Sequence, residues 1–241
     1  MPPPLDRILL AEIALFHGLG ADDLDDILAH ARSRRFAKNV ALFEQGAGAE
    51  HFFVLLDGHL KVTQTTPVGA QVIVRYINPG DIFGIAAAIG RSDYPATATA
   101  VVDSVALAWD QHYWSKLVTA HPSVAGNVMR TLGARLQDQQ EKLMQIATQR
   151  AERRIAHVLL RLVRQAGKKV EGGIEISFPL TRQDIAEMTG TTLFTVSRVM
   201  SQWDQASLTE SGRQRIVVRD PHALLRIAEE SAETADNRDS M

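Results

Sequence analysis

The sequence predicts an α+β chain in three successive parts. An antiparallel β-roll with flanking helices occupies 1–122, a long dimerisation helix 123–150, and a winged helix-turn-helix 151–241. Three observations carry this. Between Arg34 and Trp109, short β-rich runs alternate with turns marked by Gly and Pro, the pattern of a roll or barrel. Met129, Leu132, Leu136, Gln139, Leu143, Ile146 and Arg150 recur at alternating spacings of three and four, and five of these seven are apolar, which makes a coiled-coil seam with polar exceptions. The stretch "LTRQDIAEMTGTTLFTVSRVMSQW", Leu180 to Trp203, reads as two short helices around a tight corner.

Composition narrows the function. The chain has 241 residues, 45% hydrophobic and 22% charged, enough to bury one or two cores. It contains no cysteine, so disulfides, thiolate-bound zinc and cysteine-ligated iron–sulfur clusters are excluded. No apolar run is long enough to span a membrane, and "MPPPLDRILL" lacks the features of a signal peptide; a cytoplasmic protein is expected. The net charge of −2 hides an asymmetry. Residues 1–149 hold 12 Lys/Arg and 15 Asp/Glu, residues 150–219 hold 12 and 7, and residues 220–241 hold 2 and 6. The positive segment contains the helix-turn-helix and favours contact with phosphates.

The elements follow in order. Two helical patterns open the chain, Leu5–Phe16 and Ala21–Ala31. The second starts with four aspartates between Asp22 and Asp26, which suit the positive end of a helix dipole. The runs "HFFVLLDG", "HLKVTQTT", "QVIVRYI", "ATATAVVDS" and "VALAW" read as strands, with turns at Asp57-Gly58, Pro67-Val68-Gly69 and Pro79-Gly80-Asp81. A short helix is expected within 110–122, and the long one starts near Ser123. Arg150 to Gln165 continues it as a helix with Ile155, Val158, Leu159 and Leu162 on one side. "KKVEGGIEISF" is a hairpin around Gly172-Gly173. In the corner motif Thr181 is a good N-cap, Gly190 tolerates the positive φ that ends a helix, and Thr191 or Thr192 caps the next. Ile185, Ala186, Met188, Val196, Val199, Met200 and Trp203 face inwards. Thr192, Leu193, Phe194, Ser197, Arg198 and Ser201 then face outwards, towards a DNA major groove. "SLTESGRQRIVVRD" is a second hairpin, the wing, turning at Ser211-Gly212. Pro221 starts a final helix, and "AETADNRDSM" is a polar, frayed end.

This order of parts resembles the Crp/Fnr superfamily of bacterial transcription regulators. The likeness is strongest in "FPLTRQDIAEMTG…TVSRVM…SGRQRIVVRDP" and clear again in "FEQGAGAEHFFVLLDGHLKV" and "INPGDIFG". It implies a homodimer on an inverted-repeat operator in double-stranded DNA, held together through Met129, Leu132, Leu136, Leu143 and Ile146. It implies base contacts from Ser197 and Arg198, since an arginine fork bonds O6 and N7 of one guanine. Many members place a glutamate four positions before that arginine, to accept from a cytosine amino group. This chain has Phe194 there, a ring suited to a thymine methyl or to packing on the wing. Arg182, Thr192 and Arg213 are expected on phosphates, which position rather than specify. RNA polymerase is the implied partner of an activator, through exposed loops such as 65–71 and the region of His121-Pro122.

The roll is the sensor in this family. Cyclic-nucleotide binders carry a glutamate after the glycine of the GD-x-x-G turn and a later Arg-Ser pair. Here Ile85 follows Gly84, and the pair falls near Pro95-Ala96, with Arg91-Ser92 a few residues early. These substitutions make Gly84, Ile85, Pro95 and Ala96 an effector pocket without polar partners for cyclic AMP. "IGRSDYPATATAVVDS" is similar to the branch that answers nitric oxide and controls denitrification (the NnrR/Dnr type), for which the resemblance implies haem. The ligand candidates are His17, His51, His59 and His112, with Pro2 a further one at a processed N-terminus. An enzyme is not expected: no His-x-His pair, catalytic triad or phosphate loop stands in a supporting context. The alternative is a regulator of the same fold that is ligand-independent or answers another small effector.

Overall fold

The computed structural model describes residues 10–229. Positions 5–9 of the first expected helix, Pro2 and the polar end 232–241 lie outside the described residues. Ala14–Phe16, the end of that first pattern, forms a single 3₁₀ turn. The chain divides into two compact units at Asp138/Gln139.

In the first unit α1 (Ala21–Ala29) is followed by β1 (Arg32–Phe36), β2 (Ala41–Phe43), β3 (His51–Asp57), β4 (Leu60–Thr65), β5 (Gln71–Ile77), β6 (Ile82–Phe83), β7 (Thr97–Ala100) and β8 (Ser104–Asp110). α2 (Tyr113–Ala120) and the start of α3 (Pro122–Thr148) complete it. The strands form two four-stranded antiparallel sheets, ordered β1-β8-β3-β6 and β2-β7-β4-β5. The run "HFFVLL" shows why β3 has no polar face. Alternate residues of a strand point to opposite sides, and here both sides are covered. Phe53 and Leu55 join Leu60, Ile77, Phe83 and Ala108 in one cluster. Phe52 and Val54 join Ile27, Trp109, Leu117 and Val124 in the other. Phe52 stacks on Trp109 at 5.4 Å, and the Trp109 indole donates to the Ile27 carbonyl at 2.9 Å, so burying its N–H leaves no donor orphaned.

The Asp57-Gly58 turn joins β3 to β4, with Gly58 at φ +88°. A Cβ there would overlap the Ser104 hydroxyl and lie 2.7 Å from the Asp103 carbonyl oxygen. Gly58→Ala should therefore destabilise the roll by more than about 1 kcal/mol. Urea unfolding measures this; an unchanged midpoint would show that the turn can rearrange.

The second unit takes up the rest of α3 and continues with α4 (Ala151–Ala166), β9 (Gly167–Val170), β10 (Gly173–Ile176), α5 (Arg182–Thr189), α6 (Leu193–Gln205), β11 (Thr209–Gly212), β12 (Arg215–Val218) and α7 (Pro221–Glu229). Three details correct the sequence reading. α3 and α4 are separate helices, because Arg150 is extended at φ −64°, ψ 153°; Arg150 therefore lies outside the seam helix. The two hairpins are one sheet, β11-β12-β10-β9, joined where Ile174 and Glu175 of β10 pair with Val218 and Val217 of β12. The wing turns at Arg213-Gln214, not Ser211-Gly212, which pair within the ladder with Ile216 and Arg215. Gln214 takes the positive φ of that turn, 59°.

Candidate nucleic-acid interface and sensor cavity

The corner motif is built from its caps. The Thr181 hydroxyl accepts from the Asp184 N–H at 3.0 Å, and the Asp184 carboxylate accepts from the Thr181 N–H at 2.9 Å. This reciprocal box satisfies two donors that the first turn of α5 would leave orphaned. Gly190 ends α5 at φ 62°, and Thr192 caps α6 by accepting from the Thr195 N–H at 3.1 Å. α4 holds the pair in place: Arg154 donates to the Thr189 carbonyl at 3.0 Å and Glu152 accepts from the Trp203 indole at 3.2 Å. Thr181→Ala should cost about 1 kcal/mol of unfolding free energy by chemical denaturation, and no change would show the box to be dispensable.

Val196, Val199, Met200 and Trp203 are buried on one side of α6. At 100° per residue, Phe194, Arg198 and Ser201 fall on the opposite side, with Ser197 on its flank. Phe194 is 78% exposed, so it does not pack on the wing. Arg198 is exposed and, among the described residues, hydrogen-bonds only Gln202 on its own helix, at 3.4 Å. Arg182 leans on Asp204 and Ser201, both at 3.5 Å, near the other end of α6. Arg213 is exposed at the wing tip and has no ion-pair partner among the described residues. Arg215 and Arg219, by contrast, are held within the sheet, Arg215 by Glu175 and Glu210 and Arg219 by Glu210. Of the wing cations, Arg213 therefore keeps its charge available.

Along α3, Met129, Leu136, Leu143 and Ile146 are all at least half exposed. Leu132 departs from the expected seam. It packs against the cluster that contains Val124 and Val128 and lines the roll cavity. A straight helix drifts relative to a strict seven-residue repeat, which places Leu132 at the border between the stripe and the inward face.

Gly84, Ile85, Pro95 and Ala96 line one cavity of about 170 Å³ in the roll, with Phe43, Val62, Ile77, Phe83, Ile89, Tyr94 and Leu132. Sequence reasoning missed its two cations, Arg75 on β5 and Arg135 on α3. Arg91 and Ser92 do not line it, and Arg91 is engaged by Asp93 at 2.8 Å. None of the four candidate histidines lines it either. His17 is exposed and contacts the Glu12 carbonyl, and His112 is exposed. His51 accepts from Arg34 at 2.9 Å, and its pKa is lowered by burial first and by Arg34 second. His59 donates to Asn78 at 3.0 Å, and burial lowers its pKa too. Tyr94 faces the cavity, but its hydroxyl donates to the His51 carbonyl at 2.7 Å and accepts from the His51 N–H. No imidazole is offered to an iron there, so histidine-ligated haem does not fit this cavity.

Two family models match the chain in sequence. The cyclic nucleotide-binding domain matches residues 33–121, and the Crp-like helix-turn-helix domain matches residues 153–227. The chain is 27% identical to the cyclic AMP receptor protein of Thermus thermophilus, over 89% of this chain and 96% of that one. It is also 27% identical to the nitrogen fixation regulation protein FixK of Azorhizobium caulinodans, over 80% and 77%. Among solved structures it is similar to FixK2 from Bradyrhizobium japonicum, with a TM-score of 0.73 at 23% identity, covering 84% of this chain and 99% of that one. The chain belongs to the Crp/Fnr family: a transcription regulator with a cyclic nucleotide-binding-like sheet domain followed by a DNA-binding helix-turn-helix.

Proposed function

We propose that this regulator binds an inverted-repeat DNA site as a homodimer, with α6 in the major groove. Arg198 takes a guanine, Ser197 lets the helix seat deeply, and Phe194 presses on a neighbouring base edge. Thr192, Arg213 and, once freed from Asp204, Arg182 hold phosphates. The observation that carries this reading is the outer face of α6, where a 78% exposed phenylalanine stands beside an exposed arginine, opposite a buried apolar side. Leu193 beside the phenylalanine is also exposed, and neighbouring apolar side chains left in water, unlike a lone one, mark a contact surface. Selection of sites from a random DNA pool by the purified protein tests it, and a consensus without two-fold symmetry would reject the dimer on DNA. For an activator, the Thr66–Gly69 turn, with Val68 strongly exposed, is the surface we assign to RNA polymerase.

The roll cavity is the site we assign to an effector. The nitric oxide reading needs haem, and the lining residues disfavour it. Haem titrated into the protein should give no saturable Soret shift; a stoichiometric shift abolished by His51→Ala would restore the haem reading.

A further inference from the structure

Two guanidinium groups converge inside the otherwise apolar roll cavity. Arg135 donates to the Ile82 carbonyl at 2.6 Å, and Arg75 reaches the same oxygen at 3.4 Å. Arg75 also lies 3.8 Å from Asp81, the one carboxylate among the described residues that acts on both. Among the described residues, one neutral carbonyl and one anion thus answer two cations, each with five N–H donors, and a positive charge is left over. Burial first, and the neighbouring Arg75 second, push the Arg135 guanidinium down to about 10. Around them the wall is hydrocarbon: Phe43, Phe83, Ile77 and Ile85. The volume, about 170 Å³, is close to the ~150 Å³ of an apolar cavity that holds benzene. A purine nucleotide is much larger.

We propose that this cavity binds a small amphipathic carboxylate, one aromatic ring or a branched hydrocarbon of that size, whose carboxylate lies on Arg75 and Arg135. The proposal rests on the reading of the roll as the effector site and adds the ligand's chemical class. An arginine fork matches a carboxylate bidentately, and the bound anion supplies the missing negative charge. Ile85, Pro95 and Ala96, which remove the partners of a cyclic nucleotide, suit the hydrocarbon end. Arg135 precedes Leu136 of the exposed stripe, so the ligand joins β5 and β6 to the helix that carries the dimer seam.

Calorimetric titration of the full chain with benzoate, benzamide, inorganic phosphate and cyclic AMP tests this. Benzoate should saturate at one per chain, benzamide should bind at least about tenfold more weakly, and phosphate and cyclic AMP should not bind. Arg135→Gln should weaken benzoate at least about tenfold and leave benzamide unchanged, a split that misfolding would not produce. Arg135→Lys, which keeps the charge but not the fork, should fall between. Ala96→Phe, which fills the cavity, should remove both ligands. If benzamide matches benzoate, or Arg135→Gln weakens both equally, the anion assignment is overturned while the cavity remains an effector site. Binding of phosphate or cyclic AMP in preference to benzoate also overturns it. If no ligand binds and Ala96→Phe leaves DNA affinity unchanged, the effector reading fails together with the proposal.

Discussion

Leu136→Asp should convert the protein into monomers and abolish operator binding. Leu136 is 61% exposed on the single chain and stands between Met129 and Leu143, each one heptad away and also exposed. Such a stripe on a helix needs an apolar cover, and a twin helix is the simplest. Removing a buried leucine side chain costs about 2–5 kcal/mol, and a two-fold interface incurs the loss twice. A carboxylate adds like-charge repulsion across the axis. The loss on DNA should be larger still, because linking two half-site modules raises affinity by about 10²–10⁴-fold. Sedimentation velocity and a DNA-binding titration read the two effects, and a variant that still sediments as a dimer removes the seam assignment. Leu132→Asp is the contrast. Leu132 packs against the roll core, so that variant should lower the roll's stability.

The features legible in the sequence are those whose signal is local. Thr181, Gly190 and Thr192 punctuate the chain through their own side-chain or backbone chemistry, and each acts at its expected position. Five of the roll's eight strands, β3, β4, β5, β7 and β8, are legible because they are short β-rich runs whose ends Gly and Pro mark; β1, β2 and β6 are not among those runs. Less legible were features that depend on distant partners. The break at Arg150 carries no Gly or Pro, so helical periodicity runs through it. The wing's glycine, Gly212, is a ladder residue paired with Arg215, while the positive φ of the turn falls two residues later, at Gln214. Arg135, between Ala134 and Leu136 on the long helix, reads as a surface charge, and Arg75 interrupts the apolar middle of its strand without explanation. Only the folded roll brings these two arginines to one carbonyl.

Phe194→Glu and Arg198→Ala should alter DNA recognition in different ways. Among the described residues Arg198 has no acidic partner and hydrogen-bonds only Gln202, at 3.4 Å, so its fork is available for a guanine. Its removal should cost about 1–3 kcal/mol and relax preference at one base pair. Phe194, four residues earlier, lies on the same side of α6 one turn away, and its ring is exposed. A phenyl group cannot accept a hydrogen bond, so the wild-type protein should not select cytosine through it; contact with a thymine methyl is the chemistry it offers. A glutamate there can accept from a cytosine amino group, and the selected site should shift to cytosine at that position. The same substitution should weaken binding to the wild-type site, because a carboxylate pressed against a methyl group and close to phosphates loses its hydration without a partner. Because Phe194 is mostly exposed, the substitution should barely move the unfolding midpoint, which separates recognition from stability. Recovery of the wild-type consensus by Phe194→Glu would mean that the ring does not face the bases, and its exposure would then need another partner.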